Sequence, residues 1–185
     1  TIDTQPILDQ LDSNPSNKAE LWEELKVTTF ARATSIIYSF TILVVTSRIQ
    51  LNLIGGYIYK DSIREGNPII TNEHRLRYMS LCNYFVTEGI ERMSKQIYSK
   101  IKNIITPISL KQKMTLKDTE QLFWSIQAAL CADNCDPLKQ VVSYMITDSA
   151  YDDDPILKSM INEPMDLLES DEVISLSISS VSRSF

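Results

Sequence analysis

Four glycines in 185 residues leave little material for tight turns, and hairpin-rich β folds need many of them. Cysteine is sparse and odd in number: three thiols make no disulfide framework and suit a reducing compartment. The single histidine, His74, is far in sequence from Cys131 and Cys135, which are four apart and off the CxxC spacing of a zinc site. Basic residues are outnumbered, 18 against 24 acidic, and a net charge of −6 gives no support to nucleic-acid binding. P-loop, dinucleotide and GxSxG patterns are missing, and a serine triad would have to use His74 with nothing nearby to activate it. The sequence therefore points to no metal and no cofactor.

What remains reads as helix. With 43% hydrophobic and 23% charged residues the chain is ordinary globular material, and its length suits one helical domain over 1–185. The organising stretch is 16–59, free of proline and opening on Asn17 with Glu20 three residues later, a capping-box pattern. Its first turns are amphipathic, with Leu21, Trp22 and Leu25 set against Lys18, Glu20, Glu23, Glu24 and Lys26. From Ile36 to Val45 it is apolar nearly all round, which predicts a fully enclosed middle. Arg32 and Arg48 bracket only 15 residues. As a helix these span roughly 22 Å, short of a hydrocarbon core of about 30 Å, so a bundle helix is expected. Gly55-Gly56 reads as a C-cap or, ahead of any ligand role, as a close-packing point in a continuing helix.

Residues 1–14 look like the last turns of an earlier helix, and 60–71 form a polar loop. A second long helix is predicted from Glu73 to Ile105, with Met79, Cys82, Val86, Ile90, Met93, Ile97, Ile101 and Ile104 facing inward. His74 reads as a surface residue at its start. Thr115 with Asp118 caps a third helix carrying Leu122, Phe123, Ile126 and Leu130, with Trp124 placed in the core. Asp136-Pro137 and Asp154-Pro155 each give an N-cap with proline at the first helical position. The first starts a short helix to about Met145; the second starts one broken by Pro164. Asp152 to Asp154 read as solvated linker and cap, not a calcium loop. Lys95, Lys100 and Lys102, with Arg75 and Arg77, are interleaved with acids and read as a solvated face. The tail after Val173 keeps an apolar period and stops abruptly. The expected fold is all-α, an elongated bundle of long antiparallel helices truncated at both ends.

Trp22, flanked by Glu20, Glu23 and Glu24, is hard to bury completely; its pattern allows core packing or an interaction anchor. PSNKAELWEELK, YSFTILVV and RIQLNLIGGYIY closely resemble the peroxin-3 family, with weaker echoes in SLKQKMTLKDTEQ and NEPMDLLESDE. The third segment carries Arg48, Gln50, Leu51, Asn52, Gly55, Gly56, Tyr57 and Tyr59 of the RxQLNxIGGYIY signature. The resemblance implies a non-enzymatic docking receptor of the peroxisomal membrane, facing the cytosol and passing through the endoplasmic reticulum in transit. It implies an N-terminal membrane anchor and C-terminal helices that this chain lacks. The implied partner is peroxin-19, whose N-terminal amphipathic helix lies in a groove; inheritance and autophagy adaptors are further implied partners. Residue by residue, the match assigns that groove to Leu11, Lys18, Trp22, Leu25, Asn52 and Ile58. Leu11, Trp22, Leu25 and Ile58 would supply apolar walls, Lys18 a cation and Asn52 an orienting hydrogen bond. The alternative is a helical lipid-binding or membrane-surface module, which calls for a concave apolar cavity with a basic rim. A helical enzyme would call for convergent ionisable groups.

Overall fold

The computed structural model describes residues 2–13, 15–66, 68–132, 136–146 and 154–185. Every regular element among them is helical: α1 (Gln5–Asp12), α2 (Lys18–Ser62), α3 (Asn72–Tyr84), α4 (Ile90–Ile105), α5 (Leu116–Cys131), α6 (Val141–Met145), α7 (Pro155–Leu168) and α8 (Asp171–Ser182). A single π-helical turn, Phe85–Gly89, joins α3 to α4 without a break. The protein is an all-α bundle, as its composition indicates.

α2 is 45 residues long, roughly 67 Å at 1.5 Å per residue, and the other helices are arranged along it. α3, the π turn and α4 run antiparallel to it as one rod. Gln50 donates to the carbonyl of Tyr78 (3.0 Å) near one end, and Lys26 donates to the carbonyl of Ile108 at the other. α5 meets the first half of α2 through Phe30 and Phe123, whose ring centroids are 5.7 Å apart. The end of α8 closes on the same region, with Phe185 against Phe123 (5.2 Å) and Tyr38 (6.5 Å). α7 covers the second half, where the Tyr57 hydroxyl donates to Glu163 (2.6 Å). The core between them includes Tyr38, Ile42, Phe85, Met93, Ile97 and Ile126.

Several expectations change. α2 runs straight through Gly55 and Gly56, and a Cβ on either would meet nothing within 4 Å. They are neither a C-cap nor a packing point; that role falls to Gly89, where a Cβ would stand 2.3 Å from the Tyr144 carbonyl oxygen. Asn17 occupies the N-cap of α2 but its side chain makes no capping hydrogen bond. The middle of α2 is not enclosed. Thr34, Ser35, Thr41 and Thr46 face inward, while Ile36, Phe40 and Val44 face solvent, Phe40 being 67% exposed. Small hydroxyl side chains take the inward positions here, and the bulky residues occupy the free side. By length and hydropathy alone α2 could cross a membrane. Here α1, α3, α4, α7 and α8 all pack against it.

The inward line of the second rod is Tyr78, Leu81, Phe85, Gly89, Met93, Ile97, Ile101 and Ile105. The expected line is correct at Met93, Ile97 and Ile101 but lies one residue late before them, and Met79 and Val86 are exposed. Steps of four overshoot a regular α-helical turn by about 40° each, and the wider π turn absorbs part of that drift. α6 starts only at Val141, because the backbone and Oδ1 of Asp136 are used in a turn over 136–140. α7 continues through Pro164, which is buried with Met160, Ile161 and Met165. Trp124 is 67% exposed; its neighbour Phe123 takes the inward position. Cys135, Asp152 and Asp153 lie outside the described residues.

Candidate docking surface

The face of α2 that carries Trp22 also carries Lys18, Leu25 and Thr29, at helical spacing. Trp22 is 50% exposed, Lys18 is exposed and Leu25 is half-buried. α1 ends at Asp12 and α2 begins at Lys18, and Leu11, also half-buried, stands in the last turn of α1. The other end of α1 is fastened by a hydrogen bond from Arg32 Nη1 to Thr4 Oγ1 (3.1 Å). Leu21, Val27 and Thr28 bury the opposite side of the same turns, which fixes the direction of Trp22. Lys26 is not available to a ligand: it pairs with Glu23 (2.6 Å) and donates to Ile108.

A recess of about 490 Å³ lies close by, between α2 and α4, lined by Glu23, Glu24, Val27, Tyr98, Lys102 and Thr106. Trp22 is not one of its walls. The aromatic and the concavity occupy different sides of the helix, and the recess is too acidic on its α2 wall for an acidic peptide.

Asn52 and Ile58 are not brought to this place. They lie 30 and 36 residues further along the same helix, about 45 and 54 Å away at the standard rise. Ile58 falls on the Trp22 line, whereas Asn52 is turned from it by about 120° at 100° per residue. The structure thus sets Lys18, Trp22 and Leu25 on one face at the start of α2, with Leu11 at the end of α1 seven residues before Lys18, and leaves the other two at the far end.

An apolar recess of about 470 Å³ opens halfway along α2, where Ile36, Phe40 and Leu43 meet Ile2 and Ile90. Its rim holds Arg32 and Asp3, one charge of each sign, in place of the basic rim that lipid binding calls for. Among the described residues no group of three or more His, Cys, Asp or Glu side chains could hold a metal.

His74 is not a loose surface residue. Its Nδ1 accepts from the Thr71 amide (3.2 Å), and its Nε2 lies 2.7 Å from Asp154 Oδ2, tying the start of α3 to the start of α7. Asp154 also caps α7, and bonds to the Leu157 amide and then to His74 hold its carboxyl below the usual range. Tyr57 is pushed up to about 12, first by burial and then by its bond to Glu163. Sequence reasoning missed both links, because each joins residues 80 or more apart. Lys95 is paired with Glu91 at 2.7 Å, as a solvated helix face should be.

These features define an all-helical scaffold with large apolar side chains exposed along its longest helix. The sequence model of the Peroxin-3 family matches residues 5–75, the span that contains α1, α2 and the Trp22 surface. Peroxisomal biogenesis factor 3 of Rattus norvegicus is 30% identical over 204 residues, covering all of this chain and 55% of the rat protein. The Homo sapiens protein of the same name is 34% identical over 124 residues, 65% of this chain and 33% of its own length. Peroxisome biogenesis protein 3-1 of Arabidopsis thaliana is 25% identical over 127 residues. The chain belongs to the peroxin-3 family, and it spans about half the length of the rat relative.

Proposed function

We propose that this chain serves peroxisome biogenesis as a non-enzymatic docking receptor at the cytosolic face of the peroxisomal membrane. It takes an amphipathic helix of peroxin-19 on the surface made by Leu11, Lys18, Trp22 and Leu25. The observation that carries the reading is the half-exposed Trp22, held rigidly at the start of α2 with an unburied cation one turn before it. A large aromatic with a fixed direction loses little entropy on binding, and such residues dominate interface energetics. Two leucines beside it offer seats for apolar residues spaced three or four apart on the incoming helix. Lys18 selects for an acidic turn in that helix and steers its approach.

Asn52 and Ile58 stand outside this surface. A bound helix of 18 residues spans about 27 Å and cannot reach them from Trp22. Titration calorimetry with an N-terminal peroxin-19 peptide tests the reading, using the wild type and Trp22→Ala with equal helix content by circular dichroism. Binding that weakens by about 30-fold or more in the variant supports it, since hot-spot truncations cost about 2 kcal/mol or more. A folded wild type that does not bind the peptide removes the reading.

A further inference from the structure

The other end of α2 carries a surface of different chemistry. Residues 63–71 join α2 to α3, and Gly66 takes a φ of 122°, where a side chain would be strained. Asp61 accepts the amides of Ile69 (3.2 Å) and Ile70 (2.9 Å), and Ile70 is buried beneath the loop. The tip is therefore held from within. Its outside is apolar: Tyr59 and Ile63 are one turn apart, Leu76 follows on α3, and they are 65%, 67% and 74% exposed. Lys60 and Arg64 are interleaved with them, exposed, and neither forms an ion pair among the described residues.

From Ile58 to Met79 four cations face three carboxylates, in a chain whose net charge is −6. One of the three, Asp61, accepts the loop amides and stays ionised, so the excess here is a single positive charge. At this end of α2 several large apolar side chains and two exposed cations protrude together, Lys60 lying over the Tyr57 ring at 5.9 Å, and a bilayer surface rewards that combination. Apolar tips enter the acyl boundary, while long cationic side chains reach back to the headgroups.

We propose that the α2–α3 tip seats on a bilayer carrying anionic headgroups, with Tyr59, Ile63 and Leu76 inserted and Lys60 and Arg64 on headgroup phosphates. The inference rests on the docking reading only in supposing that the chain works at a membrane. It adds an orientation: the Trp22 surface then points away from the bilayer, about 60 Å from it along α2.

Co-sedimentation of the 185-residue chain with phosphatidylcholine vesicles, with or without about 30% phosphatidylserine, tests this. The wild type should partition onto the anionic vesicles and barely onto the neutral ones. Ile63→Asp/Leu76→Asp and Lys60→Glu/Arg64→Glu should each lower that partition about tenfold, with helix content unchanged by circular dichroism. Trp22→Ala should sediment like the wild type. Absence of wild-type binding overturns the proposal, as does a double variant of either kind that binds normally. Light scattering that shows a dimer lost in the apolar variant, without vesicle binding, also overturns it and assigns the tip to a second copy. Peptide titration on the same samples reports the docking reading separately.

Discussion

Trp22 and Ile58 lie on one line along α2 and stand about 54 Å apart. Both match a family motif, but one short helix cannot touch both. For an N-terminal peroxin-19 peptide, Ile58→Ala and Asn52→Ala should leave the affinity within about twofold, against a loss of about 30-fold for Trp22→Ala. Lys18→Glu should weaken binding mainly at low salt, where its charge is least screened. Calorimetry at two ionic strengths reads all four variants. An Ile58→Ala loss as large as that of Trp22→Ala would show the contact to span the helix.

The glycines of this chain should respond in opposite directions. Gly89→Ala drives a methyl against the main chain of Tyr144, which cannot swing aside as a side chain could, and against Phe85 Cδ2 at 2.8 Å. Overpacking of that kind costs about 1–3 kcal/mol. Gly55→Ala and Gly56→Ala add a methyl in open space within a helix and should stabilise by about 0.5–1 kcal/mol each. Urea unfolding midpoints of the three variants give the comparison.

The helix borders were written locally and could be read. Thr115 with Asp118 forms the expected capping box, and Asp154 accepts from Ile156 and Leu157 with Pro155 at the first position. The faces were harder, because they depend on partners remote in sequence. Nothing near Gly89 announces that Tyr144 will press on it, and a one-residue shift of register follows from the π turn there. Trp124 looked like core because its neighbours are apolar, yet Phe123 won the inward position by stacking between Phe30 and Phe185. The charged flanks of Trp22 leave core packing and exposure both open, and the fold leaves it 50% exposed. The distance to Asn52 and Ile58 was legible once the helix was seen to continue through Gly55 and Gly56.

Three carboxylates should set the acid limit of stability. Asp61, Asp118 and Asp154 each accept main-chain amides, from Ile70, Thr115 and Leu157 above all, and their carboxyls are held below the usual range. Folding favours the ionised form, so this stability is present above the ordinary carboxylate value of about 3.9 and is lost as pH falls through the lowered values. Melting temperature should therefore drop as pH goes below about 4. Asp154→Asn, which keeps a capping oxygen but no charge, should flatten that drop and loosen the contact with His74. Thermal scans from neutral to strongly acid pH decide it; an unchanged acid limb in Asp154→Asn would count against the assignment.

The alkaline limit should belong to tyrosine. Burial raises Tyr38 and Tyr78, and Tyr57 is pushed up to about 12 by burial together with its bond to Glu163 on α7. Folding favours the neutral phenol, so the contribution is whole below the ordinary value near 10 and is lost as pH rises towards about 12. In that window the unfolded chain binds fewer protons than the folded one, and stability falls with pH. Tyr57→Phe removes one of those protons and also releases Glu163, so the fall should become shallower while stability at neutral pH drops only modestly, the pair being solvent-exposed. Denaturant unfolding at a series of pH values between 9 and about 12, with phenolate absorbance followed in parallel, measures the slope directly. If Tyr57→Phe and the wild type lose stability with the same slope, the Tyr57–Glu163 bond does not couple α2 to α7, and the alkaline limb must come from the other groups that burial raises, Tyr38, Tyr78, Cys82 and Cys131.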